Sequence, residues 1–256
     1  MAQADVTDGV GDDFRPVKSA ARVLEVLEVL ATDGPLALRD LAAHLQVPKS
    51  SMHALLRTMQ RRGWLETDAT GTLYGLGVRS LLAGSAYVDS DAVVRRASPV
   101  LDHLAQQTGE TVHLGRLEGS DVVYLAKRES THPLRLFSSV GRRLPAHSVA
   151  LGKALLAEMA PEAARACLPA QLQAMTSKTI IDPAELLEHL EHVRRVGYAV
   201  DDEESAANLR CFGVALRHRA GTRDAISISV PVVRLDDERE KEIIALLLQA
   251  GATFNH

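Results

Sequence analysis

The chain has 256 residues, long enough for two modest domains that each bury a core of their own. Hydrophobic residues at 46% and charged residues at 24% exclude wholesale disorder, and aromatics at only 4% exclude a base-stacking platform for single-stranded nucleic acid. A formal net charge of −4 excludes indiscriminate coating of nucleic acid, so any phosphate contact must come from a local basic block. No apolar run approaches the roughly 18 residues that span a bilayer, and the acidic, polar N-terminus is unlike a secretory signal. Cys167 and Cys211 are too few for a disulfide scaffold or a paired zinc motif. A cytoplasmic protein with reduced thiols and no membrane contact is expected.

Residues 1–14 carry Asp5, Asp8, Asp12 and Asp13 among small residues and read as a disordered tail. From Ser19, Ala20, Val23, Leu24, Leu27, Leu30 and Ala31 follow helical spacing until Gly34-Pro35 stops the run. Leu38, Leu41, Ala42 and Leu45 predict a second, short helix. Pro48, as first helical residue, opens a third, whose stripe of Met52, Leu55, Leu56 and Met59 ends at Gly63. Residues 64–67 and 72–74 flank Asp68-Ala69-Thr70-Gly71, which predicts a hairpin. The first domain is therefore placed at 15–77. Helical pattern runs on through Tyr87 and then from Asp91 to Gln107, a long or broken helix; a linker helix is placed at 78–97, with a break or restart at Ser98-Pro99, and a second domain at 98–256.

In that second domain, residues 112–117 and 122–126 form a hairpin around Glu118-Gly119-Ser120-Asp121, and a further strand is expected at 134–138. Helices are expected at 149–159 and 183–196. The latter has Asp182 as N-cap, Pro183 at N1, Glu185 at N3 and Gly197 just past its end. Residues 211–216 and 225–230 make a second hairpin, and a terminal amphipathic helix covers 237–250. The class is α+β, an antiparallel sheet flanked by helices.

The stripe of the third helix leaves Lys49, Ser50, Ser51, His53, Ala54, Arg57 and Arg61 pointing outward. No acidic residue occurs between Asp40 and Glu66. Lysine and arginine pair with phosphates or guanine, and serine donates to either. Two short helices joined tightly and followed by a hairpin bearing Thr70 and Thr72 are the parts of a winged helix-turn-helix, whose third helix enters the major groove. Arg57 is the base-reading candidate, and Lys49 a phosphate contact.

Gly34-Pro35-Leu36-Ala37-Leu38, Leu41-Ala42, Val47-Pro48-Lys49-Ser50-Ser51 and Arg62-Gly63-Trp64-Leu65 resemble the start of an IclR-type regulator. Gly109-Glu110-Thr111-Val112-His113-Leu114, Arg142-Arg143-Leu144-Pro145-Ala146-His147, Leu151-Gly152-Lys153-Ala154 and Gly197-Tyr198-Ala199-Val200-Asp201-Asp202-Glu203-Glu204 resemble its effector domain. With Leu209-Arg210-Cys211 and Ala225-Ile226-Ser227-Ile228-Ser229, the match covers about residues 18–250. The resemblance implies a GAF-like sensor domain whose pocket binds a small molecule, often an organic acid, and alters binding to a palindromic double-stranded operator or recruitment of RNA polymerase. It also implies a homodimer or a dimer of dimers, with no cofactor.

Carried over position by position, the family's pocket selects Ala150, Leu151, Asp201, Cys211, Ser227 and Ser229, with Leu136 and Leu144 as apolar wall. Three departures stand out: Ala54 where many members have a long basic residue, Phe212-Gly213 in place of a small apolar run, and Val230 where glycine is frequent. The residues themselves support part of this pocket. Ala150 and Leu151 begin a predicted helix, where amides and dipole favour a carboxylate, and Ser227 and Ser229 alternate with Ile226, Ile228 and Val230. An ionised Asp201 repels an anion unless it accepts a hydrogen bond from a ligand hydroxyl, which favours a hydroxylated or hydrated oxo-acid. The competing reading makes Asp201 a turn or cap residue that touches no ligand.

Two other functions are open to these residues. Cys211, with His147 or His113 and Asp201, has the ingredients of a thiol-dependent hydrolase. His147, Cys211 and Asp201 are also potential zinc ligands of a metal-responsive sensor. Neither explains the DNA-binding half, and no nucleophile elbow or phosphate loop is present. The regulator, not an enzyme, is the expected function.

Overall fold

The computed structural model describes residues 15–133, 138–217 and 221–254, and the chain divides into two compact units between Tyr87 and Val88. The tail placed at 1–14 and most of the strand placed at 134–138 lie outside the described residues.

The first unit contains α1 (Lys18–Asp33), β1 (Leu36–Ala37), α2 (Leu38–His44), α3 (Lys49–Arg61), β2 (Leu65–Thr67) and β3 (Leu73–Leu76), followed by α4 (Val78–Ser90). The apolar stripes read from the sequence meet in one core: Val26 and Leu30 of α1, Leu41 and Ala42 of α2, Met52, Leu56 and Met59 of α3, with Val47 and Leu65. Pro48 caps α3 from outside rather than opening it. The hairpin gains an unforeseen third strand, because Leu36 and Ala37 pair with Tyr74 and Leu73. This β1-β3-β2 sheet is antiparallel throughout. Two residues carry no periodicity, so sequence pattern gives β1 no signal.

The second unit opens with α5 (Ala92–Thr108). The break between α4 and α5 falls at Asp91, not at Ser98-Pro99 as the sequence suggested. Asp91 accepts the amides of Val93 and Val94 at 2.8 and 3.0 Å. It is held by the Arg116 guanidinium, at 2.6 Å, which also grips Asp224 at 2.7 Å. Pro99 lies inside α5. Its ring forfeits one helical hydrogen bond, but Ala97, Leu101 and Leu104 bury on either side of it and carry the helix through.

There follow β4 (Thr111–Glu118), β5 (Asp121–Arg128), β6 (Arg143–Pro145), α6 (Ala150–Ala157), α7 (Pro161–Cys167), α8 (Pro183–Val196), β7 (Ala199–Asp202), β8 (Leu209–Leu216), β9 (Asp224–Pro231) and α9 (Asp237–Phe254). The strands form one antiparallel sheet in the order β6-β5-β4-β9-β8-β7. The strands β6 and β7 and the helix α7 were not anticipated. The expected ends of α8 are observed: the Asp182 carboxylate accepts the Ala184 amide at 2.7 Å, and Gly197 closes the helix at φ 83°.

Each face of the sheet has its own core. Val112, Leu114, Phe212, Val214, Ile226 and Ile228 pack on α5 and α9. Val122, Tyr124, Ala199 and Ala225 pack with Leu151, Leu155, Leu186 and Leu190 of α6 and α8. The start of α6 sits directly on β8, where a Cβ on Gly213 would lie 2.8 Å from the carbonyl of Ala150. Gly213→Ala must therefore lift α6 or bend β8, and a loss of roughly 1–3 kcal/mol is expected from urea denaturation. An unchanged midpoint would show that α6 is free to lift.

Candidate functional site

On α3, Met52, Leu56 and Met59 are buried, whereas Lys49, Ser50, Ser51, His53, Arg57 and Arg61 are all exposed, as the stripe required. The tip of the β2–β3 wing is organised by Asp68, whose carboxylate accepts the amides of Thr72 and Leu73 at 2.9 Å each and the hydroxyl of Thr70. These bonds pull its pKa down to about 2. Thr70 and Thr72 touch at 2.6 Å between hydroxyl oxygens. Because the Thr70 proton goes to Asp68, Thr72 is the donor in that contact, and neither hydroxyl keeps a proton for a phosphate. Both threonines are exposed, but they shape the wing.

In the second unit a cleft opens between the start of α6, the β7–β8 loop and the sheet. Leu144, Ala150, Leu151, Asp201, Cys211, Ser227 and Ser229 all line it, with Tyr124, Arg142, Val149, Ser205 and Ala206. Leu136 lies outside the described residues. Strand register explains the grouping: Asp201 pairs with Cys211, and Cys211 with Ser229, so the three share one face across three strands. Its free volume is about 20 Å³, on the scale of one or two waters.

The α6 end of the cleft favours anions. The first intrahelical bond runs from the Lys153 amide to the Val149 carbonyl at 3.0 Å, leaving the amides of Ala150, Leu151 and Gly152 without a partner inside the helix. No side chain caps this end, because the nearest hydroxyl, Ser148, donates to the Pro145 carbonyl at 3.0 Å instead. Arg142, an exposed residue, also lines the cleft.

Asp201, on β7, lines the same cleft. It does cap a turn: Oδ1 accepts the amides of Glu204 and Ser205 at 2.7 and 3.1 Å, and Oδ2 the Ser205 hydroxyl at 2.5 Å. It lines the cleft as well. Burial outweighs these bonds and pushes its pKa up to about 6. The Cys211 thiol donates to the Ser229 hydroxyl at 3.2 Å, and burial beside Asp201 holds it well above the ordinary thiol range.

This geometry corrects the two alternatives. A hydrolase needs a thiolate and an adjacent base. The Cys211 thiol is instead kept protonated and bonds to a hydroxyl. His147 Nε2 bonds to the Gln173 carbonyl at 2.9 Å, and the His113 imidazole, depressed by burial to about 3, bonds to Ser138 at 2.7 Å. Among the described residues no three His, Cys, Asp or Glu side chains converge as metal ligands. Nor, among them, is any helix long and apolar enough to cross a membrane.

Sequence reading named the cleft's strand and helix residues but not Arg142, Tyr124, Ser205 or Ala206 as site residues. It also passed over Lys153, a wholly buried lysine whose ammonium donates to the carboxylate of buried Glu204 and, at 3.2 Å, to the Val200 carbonyl. A lysine in an otherwise apolar helix, three residues past its start, is the signal that was there to find.

A winged helix-turn-helix followed by a separate α+β unit with an anion-favouring cleft is the build of a transcription regulator. The IclR helix-turn-helix domain model matches residues 19–69, and the model for the bacterial transcriptional regulator IclR C-terminal domain matches residues 85–256. The chain is 34% identical to the HTH-type transcriptional regulator BhcR of Paracoccus denitrificans over 95% of this chain and 88% of that protein. It is likewise 34% identical to the transcriptional repressor IclR of Escherichia coli over 92% of this chain and 88% of that one. A solved IclR transcriptional regulator from Alicyclobacillus acidocaldarius superposes with a TM-score of 0.83 at 25% identity, covering 94% of this chain and 98% of that structure. The chain belongs to the IclR family of DNA-binding transcriptional regulators, which are not enzymes.

The raised Asp201 value has a testable sign. The folded chain holds this proton more tightly than the unfolded one, whose value is 3.8. Its stabilising contribution is thus complete below about pH 4 and is lost as pH rises through about 6. Relative to Asp201→Asn, the wild type should lose roughly 3 kcal/mol between those limits, read from denaturant titrations at several pH values; parallel profiles would refute the shift.

Proposed function

We propose that α3 reads the operator and that the cleft binds a two- or three-carbon hydroxy acid or hydrated oxo acid that tunes operator binding. The observation that carries the ligand class is that one cleft holds both the start of α6 and Asp201. Amides without partners inside α6 suit a carboxylate, while Asp201 accepts a bond from a hydroxyl. The small free volume favours the shortest such acids. In this reading Leu144 supplies an apolar wall, and Ser227 and Ser229 offer the ligand their hydroxyls.

In the operator complex Arg57, midway along α3, and Arg61, at its end, meet base edges or phosphates, Lys49, Ser50 and Ser51 meet phosphate at the α3 N-terminus, and His53 lies between Ser51 and Arg57. Thr70 and Thr72 stiffen the wing. In fluorescence-anisotropy titrations against an operator selected from genomic DNA, Arg57→Ala should weaken binding by about 1–3 kcal/mol with folding intact. Glycolate should raise the melting temperature of the wild type and shift its operator affinity, whereas benzoate should do neither. A melting temperature unmoved by glycolate, lactate and hydrated glyoxylate would sink the ligand class, and an undiminished Arg57→Ala complex the reading of α3.

The DNA-binding unit carries apolar surface that one copy leaves uncovered. Val78, Leu81, Leu82 and Tyr87 of α4 are each more than half exposed, as is Leu24 of α1, and α4 has no buried residue. A second copy of the chain covers this surface, matching a two-fold symmetric operator. Light scattering should find a dimer or a dimer of dimers, and Leu81→Glu with Leu82→Glu should lower that mass; a monomeric wild type would refute the interface.

A further inference from the structure

Among the described residues Lys153 is the largest side chain that is fully buried, and it lies one turn into the helix that lines the cleft. Its ammonium pairs with Glu204, itself only 5% exposed. Buried ion pairs of this kind are weak contributors to stability, since the desolvation of both charges offsets their attraction and apolar residues of like volume often do as well. The pair therefore calls for another role.

Glu204 is a junction. Its amide donates to Asp201 at 2.7 Å, its carbonyl accepts the Thr179 hydroxyl at 2.7 Å, and its second carboxylate oxygen accepts the Ile180 amide at 3.4 Å. The neighbouring Ser205 and Ala206 form a wall of the cleft. Glu203 and Asn208 on either side adopt left-handed backbone, each at φ 61°, a conformation that costs a non-glycine residue energy and persists only where other contacts impose it. The loop is thus pinned at Asp201 from β7 and at Lys153 from α6.

We infer that Lys153 and Glu204 are positioning residues for the effector site. Their ion pair sets the distance between the α6 amides, which take the carboxylate, and Asp201, which takes the hydroxyl. Without it the wall at Ser205 and Ala206 leaves the cleft and the two ends fall out of register, although neither residue touches the ligand. The inference rests on the effector reading of the cleft.

The test replaces the pair by apolar residues of similar size, Lys153→Met with Glu204→Leu, in full-length protein whose other cysteine is removed by Cys167→Ser. Cys211, which lines the cleft, then reports the wall directly through its rate of modification by N-ethylmaleimide. The double variant should keep its melting temperature, while Cys211 reacts at least tenfold faster and glycolate binds at least tenfold more weakly by calorimetry. Labelling and affinity within twofold of the wild type would overturn the inference, as would losses that only parallel a fall in stability. Should the double variant not fold, Glu204→Gln, which keeps shape and acceptor but removes the charge, is judged by the same two measurements. If wild-type protein binds no glycolate, the effector reading fails, and the labelling rate still decides whether the pair holds the wall.

Discussion

The effector unit is organised around one close approach, the seating of α6 on the sheet at Gly213. With no side chain between them, the first turn of the helix rests on β8, and Ala150 and Leu151 line one cleft with Cys211, Ser229 and Asp201. A helix set back by even a methyl would point its dipole over the sheet rather than into the row of polar residues that strand register creates. The cleft is thus a product of packing: the glycine admits the helix, the helix supplies the positive end, and β7 returns from α8 to add a carboxylate.

The DNA-binding unit follows a different economy. Its core is a single cluster fed by three amphipathic helices, so the outward face of α3 follows from the inward one, and no tertiary accident is needed to expose Arg57 or Lys49. The wing holds its shape through one carboxylate, Asp68, satisfied by its own hairpin. An acidic residue at a tip that met DNA would ordinarily oppose binding. Here its acceptor capacity is turned inward, although its charge is not removed.

What could be read from sequence divides along the same line. Helix α8 was legible to the residue because Asp182, Pro183 and Gly197 act within one turn of where they stand, and α1 to α3 were legible through their stripes. The helical pattern resumes at Asp91, yet the break was put at Ser98-Pro99, because a proline is a local signal whereas Asp91 is secured partly by Arg116, 25 residues further on. The strands β1, β6 and β7 are two to four residues long, too short for any alternation to register. Family likeness supplied Ala150, Asp201 and Ser229. It did not supply Arg142, Ser205 or the Lys153–Glu204 pair, which converge on the cleft only through the folded chain.

On the effector reading, burial that pushes the Asp201 value up to about 6 beside a helix end that favours anions ties the cleft to two solutes rather than one. An acid anion arriving next to Asp201 favours its protonated form, whose oxygens still accept a hydrogen bond, so binding around pH 6 takes up a proton. On the effector reading, such a regulator responds both to how much of a metabolite is present and to the acidification that accompanies its accumulation.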